Sequence, residues 1–317
     1  MKYREELAEA WADAMEQDSK VLILGEGVTD PKGIFGTTRP SHVRFPDRVT
    51  ETPLSENMIT GACLGLALEG WKPVLVHARC EFIMLSMEHL INMIAKWQAI
   101  HKVGKYGLVI RALVGRGWGQ GPNHSQAFHA MFAHVPGLRV LYPVHPEGIR
   151  SWVNESLSWG GPTVIMEPRR LYEEETLDYP AWKKPDVYLV TFGDIVLDAA
   201  AAARELAKID VKAQVFPIED VSQMLIPETD APVVIADTGH LFCGATAEVA
   251  ARLAERGNSR IKRVGPPFVP LPTSLALEQK WYPSVTDLYE AACGLVGVEA
   301  TIAAKTLDSD AAFVGPF

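Results

Sequence analysis

Thr52-Pro-Leu-Ser-Glu-Asn-Met58 runs straight into the apolar, small-residue stretch Ile59 to Glu69, and from there into Pro73-Val-Leu-Val-His77. An extended piece, Arg48 to Thr52, leads into it. Extended segment, helix and buried strand in this order predict a crossover connection, and with it a parallel sheet. The turn into the helix carries one acid, Glu56, just behind Ser55. A hydroxyl there is suited to cap the first free N–H groups, and the helix dipole favours a carboxylate in the first turn. Glu56 is therefore explained by a helix start alone. It is also a single carboxylate presented where a strand gives way to a helix, and both readings stand.

The alternation continues on both sides. Glu5 to Glu16 carries helical spacing, with Leu7, Ala8, Trp11 and Met15 on one face. Val21-Leu-Ile-Leu24 reads as a strand closing in the turn Gly25-Glu-Gly27. Met84 to Ala99 reads as one long helix, and Leu108 to Leu113 and Arg139 to Tyr142 as strands. Pro146 to Trp159 is a helix opened by proline, and Thr163 to Met166 a strand. The pattern then breaks into Glu173-Glu-Glu175 and Tyr179-Pro-Ala-Trp-Lys-Lys-Pro185, the composition of a boundary. A second series follows: strands Val187–Thr191, Ala213–Phe216, Val233–Ala236 and Ile261–Val264, with helices Val196–Ala207, Ala245–Ala254 and Val285–Val296. The expected fold is α/β, with two domains that are each a mostly parallel sheet flanked by helices. The first spans 1–175, a linker 176–185, and the second 186–317. At 317 residues the chain can bury two cores.

Composition narrows the partners. A net charge of −9 without a Lys/Arg-rich run disfavours nucleic acid and acidic membrane surfaces. No apolar run reaches transmembrane length, and the charged start Lys2, Arg4, Glu5, Glu6 does not read as a signal peptide. A cytoplasmic protein is expected. Cys63, Cys80, Cys243 and Cys293 lack C-x-x-C spacing, and His77 and His89 lack metal-ligand spacing around Cys80, so buried free thiols are expected rather than zinc.

A second segment, Gly119-Gln-Gly-Pro-Asn-His-Ser-Gln126, presents a histidine in a glycine-rich loop. His124 reads as a satisfied loop histidine, a substrate contact or a proton-transfer group; without apolar periodicity it is poorly explained as core. His129 and His134 follow and read as surface or supporting residues. Further stretches are Val135-Pro-Gly-Leu-Arg-Val140, Gly161-Pro-Thr-Val-Ile-Met-Glu167, Gly244-Ala-Thr-Ala-Glu248 and Val269-Pro-Leu-Pro272. In this order, from about Tyr3 to about Ala304, the set resembles the beta subunit of the thiamine-diphosphate-dependent 2-oxo acid dehydrogenases, in the transketolase superfamily.

The resemblance implies a pyrimidine-binding domain followed by a transketolase carboxyl-terminal-like domain. It casts Glu56 as the carboxyl that hydrogen-bonds the aminopyrimidine of thiamine diphosphate, with Leu54 in the same site. Phe82, in Arg79-Cys-Glu-Phe82, matches the aromatic that stacks on that ring; its alternative is a core phenylalanine. Aromatic residues usual before it are replaced by His77, Ala78, Arg79 and Cys80. His124 matches a residue of the substrate cleft that stabilises developing negative charge on the substrate oxygen. Gly121-Pro-Asn-His124 is also similar to the Gly-Pro-Thr-His of transketolases, with Gln120 where an acid is expected. Arg116 and Trp118 depart from a small-residue loop; Arg116, with Gln120, suits a carboxylate or polyol substrate, or the loop packs against a partner.

The family anchors the diphosphate through magnesium, using Gly-Asp-Gly followed by Asn. Here Gly193-Asp194 is followed by Ile195, and Asp194 reads as a helix N-cap. The resemblance therefore implies that an alpha-type subunit carrying Gly-Asp-Gly…Asn holds the metal and diphosphate. The implied assembly is a two-plus-two heterotetramer, served by a lipoyl-domain acyltransferase. A potassium ion on the backbone carbonyls of Leu108, Ser156, Leu157, Trp159 and Gly161 is a further implied site. The leading activity is 2-oxo acid decarboxylation with transfer of the acyl or aldehyde unit. Alternatives are a split transketolase-like carboligase and a non-catalytic scaffold; keeping Glu56, Phe82 and His124 argues against the scaffold.

Overall fold

A computed structural model describes residues 1–30, 32–117 and 119–300. Trp118 and the end of the expected second domain lie outside the described residues. The chain forms two compact units, one of Met1–Val114 with Met131–Thr176, the other of Gly115–Ala130 with the chain from Leu177 onward. The segment Gly115–Ala130 thus belongs structurally to the second unit, although it falls inside the span 1–175.

The chain from its start to residue 168 forms α1 (Tyr3–Gln17), β1 (Val21–Gly25), α2 (Arg39–Arg44), β2 (Val49–Glu51), α3 (Glu56–Leu68), β3 (Lys72–His77), α4 (Trp97–His101), β4 (Leu108–Val114), α5 (His129–Ala133), β5 (Arg139–Leu141), α6 (Ile149–Ser158) and β6 (Pro162–Pro168). Its six strands run β2-β1-β3-β4-β6-β5, every neighbouring pair parallel. The predicted face of α1, with Leu7, Ala8, Trp11 and Met15, is buried. β4 and β6 are buried along their whole length, as strands covered on both faces must be.

That central pair hides charge. Arg111 Nε and Nη2 donate to the two oxygens of Glu167 at 2.5 and 3.0 Å, and Tyr172 Oη donates to Glu167 at 2.9 Å. Arg111 Nη2 also reaches Thr37 Oγ1 at 2.8 Å. Both charged side chains are fully buried, so each must be paired and hydrogen-bonded to be tolerated.

Two local expectations are corrected. Ser55 occupies the N-cap position of α3 but its hydroxyl makes no capping bond. The single helix expected over Met84–Ala99 is instead a 3₁₀ stretch Cys80–Ser86, a π-helical stretch Glu88–Ile94 and then α4. The reason is tertiary: His89 packs on Gly61 of α3, where an added Cβ would lie 2.7 Å from its Nε2, and its Nδ1 meets Asn57 Oδ1 at 2.7 Å. A widened turn brings the ring to that contact.

The later chain forms β7 (Val187–Thr191), α7 (Ile195–Ala207), β8 (Ala213–Pro217), β9 (Val233–Ala236), α8 (Ala245–Glu255), β10 (Ile261–Val264), α9 (Leu275–Trp281) and α10 (Val285–Val296). Its four-stranded sheet is ordered β10-β9-β7-β8 and is all parallel. Among the described residues no helix is long and apolar enough to cross a membrane.

Candidate cofactor and substrate site

Because the six strands are parallel, their carboxyl ends share one edge, and the strand order reverses there: β2 lies on one side of β1 and β3 on the other. Ligands of open parallel sheets sit in such a crevice. Gly25 closes β1 against β3 with φ +155°; a Cβ there would lie 2.4 Å from the carbonyl oxygen of Val76, so a side chain is excluded.

Three carboxylates meet at this edge. Glu51, ending β2, accepts the backbone N–H groups of Gly27 at 2.5 Å and Thr29 at 3.2 Å, and the Thr29 hydroxyl at 3.0 Å. Glu56 opens α3 and is half-buried. Glu26, in the turn after β1, has its carboxyl pushed up by burial first and then by the charges of Glu56 and Glu51. In the sequence Glu26 is only part of the turn Gly25-Glu-Gly27, and an acid directly behind a parallel strand is the signal for it. Leu54 is 82% exposed and Met58 56%, so apolar surface is open on both sides of Glu56.

β3 ends in His77, only 5% exposed, its Nε2 without a hydrogen-bond partner. Burial lowers its pKa to about 4, so the imidazole is neutral. The segment after it is half-buried at Phe82 and sends Ile83, not Phe82, into the core. Cys63 on α3 is buried, and burial pushes its thiol up to about 12.

The carbonyl segment expected for potassium lies at the other end of the strands. Leu108 is paired with Pro162, Gly107 lies against the carbonyl of Leu157, and Gln98 Nε2 donates to the carbonyl of Gly160 at 2.6 Å. Ser156 is buried with its hydroxyl on the carbonyl of Val153, and α6 ends at Ser158 ahead of Trp159 and Gly161. The final carbonyls of a helix lack helical donors and carry partial negative charge.

In the second unit the loop from Gly115 is tied down at Arg116, Gly117, Gly119 and Ser125. Arg116 Nε donates to Asp194 Oδ2 at 2.8 Å, its Nη2 to Asp198, and its guanidinium lies 5.2 Å from the ring centroid of Tyr282. The N–H groups of Gly117 and Gly119 donate to Glu278 at 2.7 and 2.8 Å. Tyr282 Oη donates to the carbonyl of Ser125 at 2.5 Å. His124 and Gln120 are half-buried between these anchors. His129, read as surface or supporting, is fully buried, 2.9 Å from Asp237 and stacked on Phe192.

Arg116 is therefore taken up by two carboxylates rather than offered to a substrate, and Asp194 faces a guanidinium. Among the described residues no group of three or more His, Cys, Asp or Glu side chains is placed to hold a metal ion. The edge of the first unit suits the pyrimidine half of a cofactor: a half-buried carboxylate, a second carboxyl raised beside it, and a half-exposed aromatic. Nothing comparable presents itself for a metal-bound diphosphate among the described residues.

A two-domain parallel α/β chain with a carboxylate-bearing switch point is the class that fold and site define. The family of the transketolase pyrimidine-binding domain matches residues 1–175, and the transketolase C-terminal domain matches residues 181–288. The beta-1 subunit of the mitochondrial pyruvate dehydrogenase E1 component of Arabidopsis thaliana is 30% identical, covering 92% of this chain and 88% of its own. The beta subunit of acetoin:2,6-dichlorophenolindophenol oxidoreductase from Cupriavidus necator is 27% identical, covering 90% and 94%. A solved split-gene transketolase, described as an inactive beta4 tetramer, superposes with a TM-score of 0.74 at 20% identity, over 95% of this chain and 99% of that one. The chain belongs to the transketolase-type family of thiamine-diphosphate enzymes, among the beta subunits of 2-oxo acid dehydrogenase E1 components.

Proposed function

We propose that this chain is the beta subunit of a heteromeric enzyme that decarboxylates a 2-oxo acid and passes on the acyl or aldehyde unit, working with an alpha-type partner. The observation that carries the reading is the convergence of Glu26, Glu56 and the His77–Phe82 segment on one sheet edge, in a chain of this family. Thiamine diphosphate, when bound, supplies the carbon nucleophile and electron sink that the side chains lack. Glu56 would hold the pyrimidine ring nitrogen through its carboxyl, Leu54 would line the ring, and Phe82 would stack on it. Burial first, and then the charges of Glu56 and Glu51, hold the Glu26 carboxyl above the ordinary carboxylate range at this edge. His124 would donate to the substrate oxygen as negative charge develops there.

Metal and diphosphate are assigned to the alpha-type partner through its Gly-Asp-Gly…Asn motif. A potassium ion on the carbonyls of Leu108, Ser156, Leu157, Trp159 and Gly161 would brace the end of α6. The two beta chains would pair through α8 and the segment Phe268–Ser274, where Phe268 and Val269 stand exposed and Phe242 lies 5.0 Å from Phe268. A lipoyl-domain acyltransferase would accept the acyl unit. Four free cysteines fit a reducing compartment, and the cytoplasm is the proposed one. The carboligase alternative draws on Gly121-Pro-Asn-His124 and on Arg116; because Arg116 is ion-paired to Asp194 and Asp198, the role we propose for it is holding the loop.

The test is Glu56→Gln in the reconstituted complex. Folding and assembly should persist while turnover falls on the order of a thousandfold, equivalent to about 4 kcal/mol. Near-normal turnover would remove Glu56 from the mechanism.

A further inference from the structure

Glu278 is a carboxylate with no exposed surface, on the inner face of the short helix α9. Burying such a group is costly unless strong donors surround it. Here the donors are backbone: Gly117 N–H at 2.7 Å and Gly119 N–H at 2.8 Å, one to each carboxylate oxygen. Both glycines have positive φ, 75° and 63°, a conformation that aims alternate amides at one acceptor and that side chains resist. The segment leading into and out of α9 follows the same loop. A Cβ on Gly121 would lie 3.3 Å from Thr273 Oγ1, one on Gly119 3.5 Å from Leu275 Cβ, and Tyr282 holds Ser125. His124 is therefore bracketed by Gly119 and Gly121 on one side and Ser125 on the other, all resting on residues 273–282.

We infer that Glu278 is a positioning residue for the reaction: it folds the His124 loop onto α9 and sets where that histidine stands. The inference rests on the reading of His124 given above. It assigns the second domain a part in building the substrate loop as well as in assembly. A carboxylate is needed because both donors are N–H groups. An amide of the same size turns one acceptor into a donor facing a donor.

The experiment uses the reconstituted alpha–beta enzyme carrying Glu278→Gln, with His124→Ala in parallel. Hydrogen–deuterium exchange of the peptides covering 115–128 should accelerate about tenfold or more, as expected for loss of a charge-assisted bond. Exchange around Glu56 should stay as in wild type. Turnover should fall about tenfold or more while the dissociation constant for thiamine diphosphate is unchanged, a split that general destabilisation would not produce. Unchanged loop exchange overturns the inference. So does faster exchange with full turnover. If His124→Ala keeps full turnover, the reading of His124 fails by itself; the Glu278→Gln turnover then still decides whether the loop is positioned for the reaction. Should the Gln variant not assemble, Gly119→Ala keeps the carboxylate, strains the φ of 63° and must give the same exchange and turnover changes.

Discussion

His77 shows what one buried residue does at the candidate site. Its imidazole closes β3, and burial holds its pKa at about 4 against an ordinary 6.5. Between these values the unfolded chain binds the proton and the folded chain does not. Its contribution is therefore complete above pH 6.5 and is lost as pH falls towards 4, by about 3 kcal/mol in all. His77→Phe should flatten the fall of stability across that window, measured by denaturant midpoints at pH 7 and pH 4.5. An equal pH response in both proteins would show that His77 is not the titrating group. Glu56 was legible from its motif because a carboxylate in a first helical turn is a local pattern. Glu26 was not, because its raised carboxyl depends on burial first and then on Glu56 and Glu51, all of which arise only once the strands pair. The ion pairs of Arg116 were not legible for the same reason: its partners stand 78 and 82 positions later in the chain.

At the scale of elements, the loop from Gly115 and the helices α7 and α9 form one unit of packing. Arg116 is 9% exposed, between Asp194 and Asp198 at 7% and 13%. Removing the cation takes the guanidinium away from one buried and one partly buried carboxylate. Arg116→Met should cost about 3–5 kcal/mol of stability, read from denaturant unfolding, whereas Asp198→Asn should cost clearly less. Equal, small losses would mean the pair is screened by solvent. Elements with a repeating local pattern were readable: β7, β9, β10 and α10 run over the residues expected. α9 was not foreseen, being only seven residues between prolines and serine. The break of Met84–Ala99 into 3₁₀, π and α turns arises from His89 meeting Gly61, which no local spacing encodes.

For the whole molecule, two parallel sheets divide the work. The alternation of strands and helices made the α/β class legible, because parallel pairing leaves long apolar runs. The unit to which Gly115–Ala130 belongs was not legible, since its anchors are single buried contacts spread over residues 194–282. The central claim is that this chain carries the pyrimidine half of a thiamine-diphosphate site and relies on a partner for the rest. Its most direct test is titration calorimetry of thiamine diphosphate with magnesium into the purified chain, alone and with an alpha-type subunit. The account predicts weak or undetectable binding to the chain alone and tight, stoichiometric binding to the complex. Tight one-to-one binding to the isolated chain would contradict it.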